Sequence, residues 1–416
     1  GGYVTISEAL ESGSERWDAV LKQFGGETPE RPVVIDSGDD LHAISEAVNG
    51  GTSYAGIHLS QSCDLSLAAF ENWEPIGCLD SPFKGLYHGN GHAIIDLTIQ
   101  STESNVGLFG CMTGESESPA VIEGINLQGT VVCTGSGAGC IVGRAMNHSV
   151  IRNCVNNATW DFSGGCSGGI VGVCTSDNSM AINQNRLDNI LVENCRTVSS
   201  GRFAQKNDNA GIVGFNYGTV RNCTFEGSIT SQVMRMGGVV GANYGIVERC
   251  VSSGTLAIEN LSTAHNSGGI IGFASQYSIL KNCLFDGDMS GVTDYRSGGL
   301  IGMLSNQNSG QASVEIRNCL VVGVVGPNTG IIMGNNNGYT LENMIANGKI
   351  TGIYYSETMS SNKNCGALAT TVGDIPGMSE CLTMQELGEQ ASYVNWDFTE
   401  IWEMNDEKGH PTLKMN

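Results

Sequence analysis

Three aspartates in one short segment are the residues whose types and spacing could do chemistry. Asp286, Asp288 and Asp294 lie in FDGDMSGVTDYR, where their oxygens could bind calcium or a pair could act as acid and base on a glycosidic bond. Elsewhere the acids are scattered singly, and no cluster joins two or three of them to a nearby Arg, Lys or His. We therefore predict a solvated acidic surface and no catalytic residue.

Two further segments carry residues typical of ligand sites. His88 and His92 in HGNGH are four residues apart, a spacing that shares one face only in a helix, which Gly-Asn-Gly disfavours. We predict a β-turn with two solvated histidines. The loop CTGSGAGC from Cys133 is similar to a phosphate-binding loop, but no helix follows it to supply an N-terminal dipole. The sequence therefore predicts no metal site and no cofactor.

Tyrosine and asparagine recur at one turn position and are the candidate ligand-binding residues. Tyr217, Tyr244 and Tyr277 occupy corresponding turns of three successive units, and Asn216 and Asn243 precede the first two. Stacking of the units would align the rings in an exposed strip, and aromatic faces beside amides are typical of carbohydrate sites. The alternative is that the tyrosines stack only to stabilise the turn.

The elements that position these residues are units of a repeat. From Ala210 the chain reads AGIVGFNYGTVRNCTFEGSI, and the segments that begin at Gly237 and Gly268 keep the same order of residue types. A period of about 30 residues indicates stacked units. Because the apolar runs are short, branched and separated by Gly and Asn, we predict an all-β, right-handed parallel β-helix solenoid. The glycine that closes the motif recurs at Gly110, Gly143, Gly172, Gly214, Gly241, Gly272, Gly302 and Gly334.

Three adjacent columns of the repeat predict its register. A cysteine follows an asparagine, with Arg249 as the exception, and the asparagine follows a charged residue whose sign alternates over the first five units. We predict a buried thiol ladder, a backbone bend at the asparagine, and ion pairs between neighbouring units. The cysteines are Cys154, Cys195, Cys223, Cys250, Cys283 and Cys319, and the charges are Arg152, Glu193, Arg221, Glu248, Lys281 and Arg317.

With these motifs the chain resembles the GLUG-repeat family, named for a Gly-Leu-apolar-Gly signature. GGLIG at Gly298 and NVGLFG at Asn105 are close copies of it, whereas GCIVG at Gly139 and TGIIMG at Thr329 depart from it. The family occurs in bacterial surface-exposed proteins such as adhesins and in accessory regions of secreted peptidases. The resemblance implies a secreted or cell-surface location.

The two ends of the chain differ from the repeats. Residues 3–26 carry apolar residues at helical spacing, and SGDDLHAISEAVNGG from Ser37 predicts a second short helix, so residues 1–50 are expected to cap the solenoid. Residues 51–350 are expected to form the parallel β-helix. Residues 351–416 are expected to form a degenerate last coil and a C-terminal cap. Trp396 and Trp402 of the cap are expected to pack on the last coil.

Composition narrows the range of partners. Acidic residues outnumber basic ones by 42 to 20, and the net charge of -22 disfavours nucleic acid and anionic lipid. No apolar run approaches the length of a membrane span. We interpret the Gly-Gly start as the trimmed end of a mature or cloned segment, from which an export signal is expected to be missing. Most of the 15 cysteines fall at buried repeat positions, so disulfides are expected to be a minority.

The function most consistent with these features is adhesion or ligand binding without catalysis. A rigid acidic rod would present its repetitive face to host or environmental glycans or to matrix proteins. Two alternatives stay open: a β-helix polysaccharide lyase or glycoside hydrolase, and a passive stalk or accessory region of a larger surface protein. Clustered carboxylates in a groove would favour the enzyme, an exposed aromatic strip the binder, and featureless polar faces the stalk.

Overall fold

The described part of the chain is a stack of short parallel strands. In the computed structural model it comprises residues 26–176, 186–232, 234–259, 266–275, 277–292, 296–304, 314–327, 329–335, 350–357 and 379–415. The strands form one sheet of 26 and one of eight, and neighbouring strands come from successive coils. The predicted all-β parallel β-helix is confirmed.

The larger sheet takes up to three short strands from each coil, and their inward side chains fill the core between the two sheets. Its first strand, Val33–Ile35, already pairs in parallel with the second. The strands are Val33–Ile35, His58–Gln61, Leu65–Ser66, Leu86–His88, Ala93–Ser101, Ala120–Glu123, Asn126–Cys133, Ser149–Arg152, Val155–Asn156, Thr159–Phe162, Ile190–Glu193, Arg196–Thr197, Ser200–Phe203, Thr219–Arg221, Thr224–Phe225, Ser228–Ser231, Ile246–Glu248, Val251–Ser252, Thr255–Ile258, Ile279–Lys281, Leu284–Phe285, Asp288–Met289, Glu315–Val321, Val324–Val325, Ile350–Ser356 and Ser379–Leu382.

The eight-stranded sheet is built from the glycine motif. The glycine of the predicted column is the second residue of every strand, so the sequence-derived register is confirmed. The strands are Phe109–Met112, Val142–Ala145, Val171–Cys174, Val213–Asn216, Val240–Asn243, Ile271–Ala274, Ile301–Leu304 and Met333–Asn335. A short pair, Asn209–Ala210 with Met236–Gly237, adds to this edge.

The column needs glycine because the backbone of the preceding coil crosses directly over it. A Cβ at Gly214 would lie 2.4 Å from the carbonyl carbon of Cys166, and one at Gly241 would lie 2.4 Å from that of Asp208. The crossing residues adopt left-handed backbone angles, with φ of 58° at Cys166, 70° at Asp208 and 61° at Arg235. The sequence did not predict these turns, because Cys and Arg seldom adopt such angles.

The asparagine and cysteine columns form one corner of the coil. Asn153, Asn194, Asn222, Asn282 and Asn318 have φ between 51° and 56°, and Arg249 takes the same angle, 53°. The bend is therefore confirmed. Each cysteine of the ladder is fully or almost fully buried, and its thiol donates to the carbonyl oxygen two residues earlier at 3.2–3.3 Å. The fourteen described cysteines are free thiols.

The alternating charges stack in register, as predicted. Glu193 Oε2 lies 2.8 Å from Arg221 Nη2, and Glu248 Oε2 lies 2.9 Å from Lys281 Nζ. The column also extends one coil earlier than the sequence analysis placed it, because Glu123 pairs with Arg152 at 2.5 Å. Such exposed pairs contribute little stability each, but a one-residue slip would separate all of them.

One helix lies against the first coils. It spans Gly38–Asn49 and begins at Ser37, whose hydroxyl accepts from the Asp40 amide at 3.1 Å. Leu41, Ile44 and Val48 bury its inner face. The second predicted helix is thus confirmed, whereas the first, at residues 3–26, lies almost entirely outside the described residues. Among the described residues, no helix is long and apolar enough to cross a membrane.

The C-terminal segment, residues 383–415, lies on the side of the solenoid. It contains the helix Met384–Leu387, the 3-10 turn Gln390–Ser392 and the antiparallel hairpin Trp402–Asn405 with His410–Leu413. Trp396 and Trp402 are buried, as predicted, and their rings stack 4.2 Å apart. They pack with outward-facing residues of several coils, Leu284, Leu320 and Tyr354, so the segment covers a lateral face as well as the last coil.

Candidate ligand-binding site

The two tyrosines Tyr217 and Tyr244 are buried, and the prediction of an exposed strip is wrong for them. Their relative exposures are 0% and 3%, and their rings stack with centroids 4.8 Å apart. They pack with Phe215 and Phe273, whose side chains project from the outer face of the eight-stranded sheet. The loops that cross the glycine column cover this face, so its side chains form a second apolar cluster outside the main core.

Tyr277 does not continue the stack. Asn243 pairs with Ala274 in the next coil, so the residue in register with Tyr244 is Ser275. The third turn is longer, and it carries Tyr277 two positions beyond the column, where the residue is half-buried. The turns therefore correspond in sequence type but not in register.

Asn216 and Asn243 are fully buried and bond to each other and to their own turns. Asn216 Nδ2 donates to Asn243 Oδ1 at 2.8 Å, and its Oδ1 accepts from the Gly218 amide at 2.9 Å. Asn243 Nδ2 donates to Ser278 Oγ at 2.6 Å. Ligand binding by these asparagines and the three tyrosines stays a prediction, and it would require the covering loops to move.

An ion pair closes the loops over this aromatic cluster. Asp208 Oδ1 lies 3.0 Å from Arg235 Nε, and the Arg235 guanidinium stands 5.0 Å from the centre of the Phe273 ring. Burial raises the pKa of Asp208 to about 6, and the attraction of Arg235 offsets only part of that effect. The loop closure is therefore sensitive to pH.

Asp208→Asn is expected to alter the pH dependence of stability. Because the pKa of Asp208 is higher in the folded protein than in the unfolded chain, wild-type stability falls as pH rises from about 4 through about 6. From pH 4 to pH 7, the free energy of unfolding of the asparagine variant should rise by about 1–3 kcal/mol relative to that of wild type. Urea unfolding at the two pH values measures this change. Asp96→Asn, at an exposed position that is also left-handed with φ of 62°, is the control. If the stability of the two variants changed equally with pH, the raised pKa of Asp208 in the folded protein would be contradicted.

The aspartates singled out from the sequence do not form one cluster in the described part of the chain. Asp286 Oδ2 lies 2.6 Å from Lys408 Nζ in the C-terminal segment. Asp288 is exposed and accepts from the Ser290 amide at 2.7 Å, and Asp294 lies outside the described residues. Asp286 thus helps to hold the C-terminal segment on the solenoid.

The histidines of HGNGH have different surroundings. The turn is present, with Asn90 and Gly91 at φ of 55° and 81°, and His92 is partly exposed beside Asp64. His88, however, ends the strand Leu86–His88 with only 18% of its side chain exposed, and its Nδ1 lies 2.5 Å from Glu123 Oε1. The prediction of two solvated histidines is therefore wrong for His88, because strand register places it beside a carboxylate of the next coil.

A groove of about 370 Å³ runs between the solenoid and the C-terminal segment. Its volume lies within the range of small-ligand sites. The residues along it combine amides, hydroxyls and a carboxylate with the aromatic ring of Tyr354. They are Asn318, Thr351, Gly352, Ile353, Tyr354, Ser379, Glu380, Val394 and Asn395.

The segment that forms one wall of this groove is held by specific contacts. Arg249 Nη2 donates to the carbonyl oxygens of Glu400 and Lys414 at 3.4 and 3.0 Å. This contact accounts for the single departure from asparagine in its column. Tyr354 Oη accepts from the Val394 amide at 3.1 Å, which places the 394–395 loop opposite the Asn318 corner.

Two polar atoms lie close to Gly352, which lines the groove. A Cβ at this left-handed glycine (φ of 66°) would lie 2.7 Å from Asn318 Oδ1 and 3.4 Å from Trp396 Nε1. Among the described residues, this indole N–H has no hydrogen-bond acceptor, although Trp396 is only 8% exposed. Buried donors usually find a partner, but this N–H lies beneath the surface and does not line the groove. Sequence analysis missed the groove, which joins residues from distant parts of the chain.

Comparison with known proteins places the repeat in context. Residues 210–230 match the family described as the GLUG motif, which confirms the resemblance inferred from the segment at Ala210. Halomucin from Haloquadratum walsbyi (strain DSM 16790 / HBSQ001) is 34% identical over 143 residues, which is 32% of this chain and 2% of that protein. The chain thus spans a small fraction of this relative's length.

A solved structure shows a distant likeness to this chain. It comes from Bacteroides ovatus and is described as a candidate immunoglobulin A1 protease. It is 16% identical and covers 95% of this chain and 95% of its own, with a TM-score of 0.45. A likeness of this degree identifies no activity.

Proposed function

We propose that this chain is an exported, surface-displayed solenoid that binds a glycan in the groove between its lateral face and its C-terminal segment. The observation that carries the proposal is the lining of this groove, which combines the amides of Asn318 and Asn395 with hydroxyls, a carboxylate and the Tyr354 ring. A sugar hydroxyl can donate and accept at once, so it suits amide, hydroxyl and carboxylate partners better than a purely apolar group does.

Other features support display at the surface. Residues 210–230 match the GLUG motif, and the resemblance to GLUG-repeat proteins implies exposure at the surface. The match to a 2% stretch of Halomucin is consistent with repeats that form one part of a much larger protein. Acidic residues outnumber basic ones by 42 to 20, which favours a soluble rod over a nucleic-acid binder.

Glycan and extracellular-matrix arrays probed with the whole chain test the proposal. We expect binding to at least one glycan without new products in mass spectrometry of the bound polysaccharide. Cleavage products would replace the binding proposal with the lyase or hydrolase alternative. Absence of binding on both arrays would leave a passive stalk.

Asn318→Gly and Thr351→Val, both in the groove lining, are expected to weaken the binding of an array-identified glycan roughly tenfold each, because each removes one hydrogen-bonding group. Glycine tolerates the left-handed angle of Asn318. Matched controls are Thr224→Val, at another half-buried strand position outside the groove, and Asn222→Gly in the same corner column. Glycan affinities are measured by calorimetry. An equal loss of affinity in the groove variants and in the controls would show that the groove is not the binding site.

A further inference from the structure

Two parallel columns of side chains run along the outer face of the larger sheet, on the first strand of successive coils. One is the alternating charge column, and the other lies two residues earlier on the same strands, because alternate residues of a strand point to the same face. The earlier column is apolar except for one threonine. We call the two columns together the ladder face. It consists of Val121, Val150, Leu191, Thr219, Ile246 and Ile279 with Glu123, Arg152, Glu193, Arg221, Glu248 and Lys281.

The ladder face is partly open to solvent. Within the apolar column Val121 is buried and the other members are half-buried. The basic side chains of Arg152, Arg221 and Lys281 are 42%, 42% and 37% exposed. Beside the apolar column lies a groove of about 310 Å³, bordered by Leu187, which is 53% exposed. A continuous half-exposed apolar column rimmed by polar residues is typical of a surface that contacts another protein.

The order of charges on this face is complementary to itself in the reverse direction. The six charges alternate in sign from coil to coil, beginning with a carboxylate and ending with an ammonium group. When a second copy is laid face to face with its solenoid axis reversed, and the two-fold axis passes between the coils of Glu193 and Arg221, every charge faces one of opposite sign. The facing pairs are Glu193 with Arg221, Arg152 with Glu248, and Glu123 with Lys281, and each pair forms twice.

The same two-fold axis brings the apolar columns together. It sets Leu191 opposite Thr219, and the remaining four members face each other as aliphatic pairs. A shift that moves the axis onto a coil would instead place like charges opposite one another along the whole ladder, so the charges select one register. Pairs within each copy do not prevent this contact, because a guanidinium has five N–H donors and can bind a second carboxylate.

We propose that the ladder face is a two-fold interface at which two copies of this chain associate with antiparallel solenoid axes. Six coils about 4.8 Å apart give a face about 29 Å long. Two side-chain columns of this length would bury roughly 1,000 Å² in total, near the lower limit of specific interfaces, which corresponds to a dimer with a dissociation constant of about 10–100 µM. Because each copy uses the same patch, the interface closes on itself and yields a dimer without further growth.

Sedimentation equilibrium of the whole chain tests the interface. Loading concentrations of about 2–300 µM span the expected dissociation constant, and about 0.15 M NaCl screens the repulsion between two chains of net charge -22. The decisive variant is Glu248→Arg with Lys281→Glu. It retains an ion pair between these two coils within each copy, but it sets like charges against Arg152 and Glu123 of the second copy. The dissociation constant should rise at least about 30-fold.

Glu193→Arg with Arg221→Glu is the matched control. It also exchanges the charges of two neighbouring coils, but these residues face each other across the two-fold axis, so every contact between copies remains one of opposite charges. Its dissociation constant should stay within about threefold of wild type. Equal dissociation constants for the two double variants would overturn the proposed register.

A monomeric wild-type chain at the highest concentration would overturn the interface itself. Circular dichroism checks that each variant folds. If the decisive double variant is unfolded, Val150→Asp decides by comparison with Val132→Asp, a half-buried outward position on another strand. Val150→Asp should weaken the dimer at least about tenfold, because it places a charge in the apolar column, whereas Val132→Asp should not. Equal effects of these two changes would also contradict the proposal.

Discussion

Gly241→Ala is expected to disrupt the stack of coils. The new Cβ would lie 2.4 Å from the carbonyl carbon of Asp208 and 2.5 Å from the amide nitrogen of Asn209. Both are backbone atoms, so no side-chain rotation relieves the overlap, and two coils must separate. We expect a loss of more than about 4 kcal/mol in the free energy of unfolding, measured by urea denaturation with far-UV circular dichroism.

Gly291→Ala provides the matched control. A Cβ there would be no closer than 3.8 Å to its nearest neighbour, Ala257, so stability should be unchanged or slightly higher. Equal midpoints for the two variants would show that the crossing backbone does not impose glycine at this column. In that case the repeat of the motif would need a different explanation.

Trp402→Ala is expected to release the C-terminal segment while the solenoid stays folded. Trp402 is fully buried and stacked on Trp396, within a cluster separate from the main core. Loss of a buried tryptophan costs about 3–5 kcal/mol, which is large for a segment held by one small cluster. Limited proteolysis followed by mass spectrometry should show new cleavage within residues 383–415. Binding in the groove should fall at the same time, since the segment forms one wall.

Val324→Ala serves as the control for this experiment. Val324 is 56% exposed and lies on a strand of the larger sheet, so its truncation should leave the proteolysis pattern unchanged. Global unfolding of Trp402→Ala would contradict the separation of the two clusters. An unchanged cleavage pattern would show that Arg249 and the Asp286–Lys408 pair suffice to hold the segment.

Periodic features of the fold were predictable because equivalent residues of successive coils meet the same environment. The glycine motif appears in every strand of the smaller sheet, the asparagines all take the left-handed bend, and the charges pair across coils. Such columns reveal register without knowledge of any distant contact. The same reasoning failed for Tyr277, since two extra residues in its turn shift it out of the column although the residue type is kept.

Sequence reasoning missed the groove because its parts are far apart along the chain. Arg249 contacts the carbonyl oxygen of Lys414, and no local pattern predicts that pairing. A signal was nevertheless present in one outward column, which is apolar without interruption at Val251, Leu284 and Leu320. Its earlier positions, Asn126, Val155, Arg196 and Thr224, are mostly polar. The change marks where the C-terminal segment covers the solenoid.

The sequence by itself determined the solenoid, its register and the residues at its corners, because each coil repeats the same local requirements for space, bend angle and charge. Only the tertiary structure decided which outward side chains are covered. Tyr217 and Tyr244 are buried by loops of neighbouring coils, Leu284 and Leu320 by the C-terminal segment, and His88 by the strand beside it. Outward direction along a strand is a local property, whereas exposure depends on whatever else the chain places over that face.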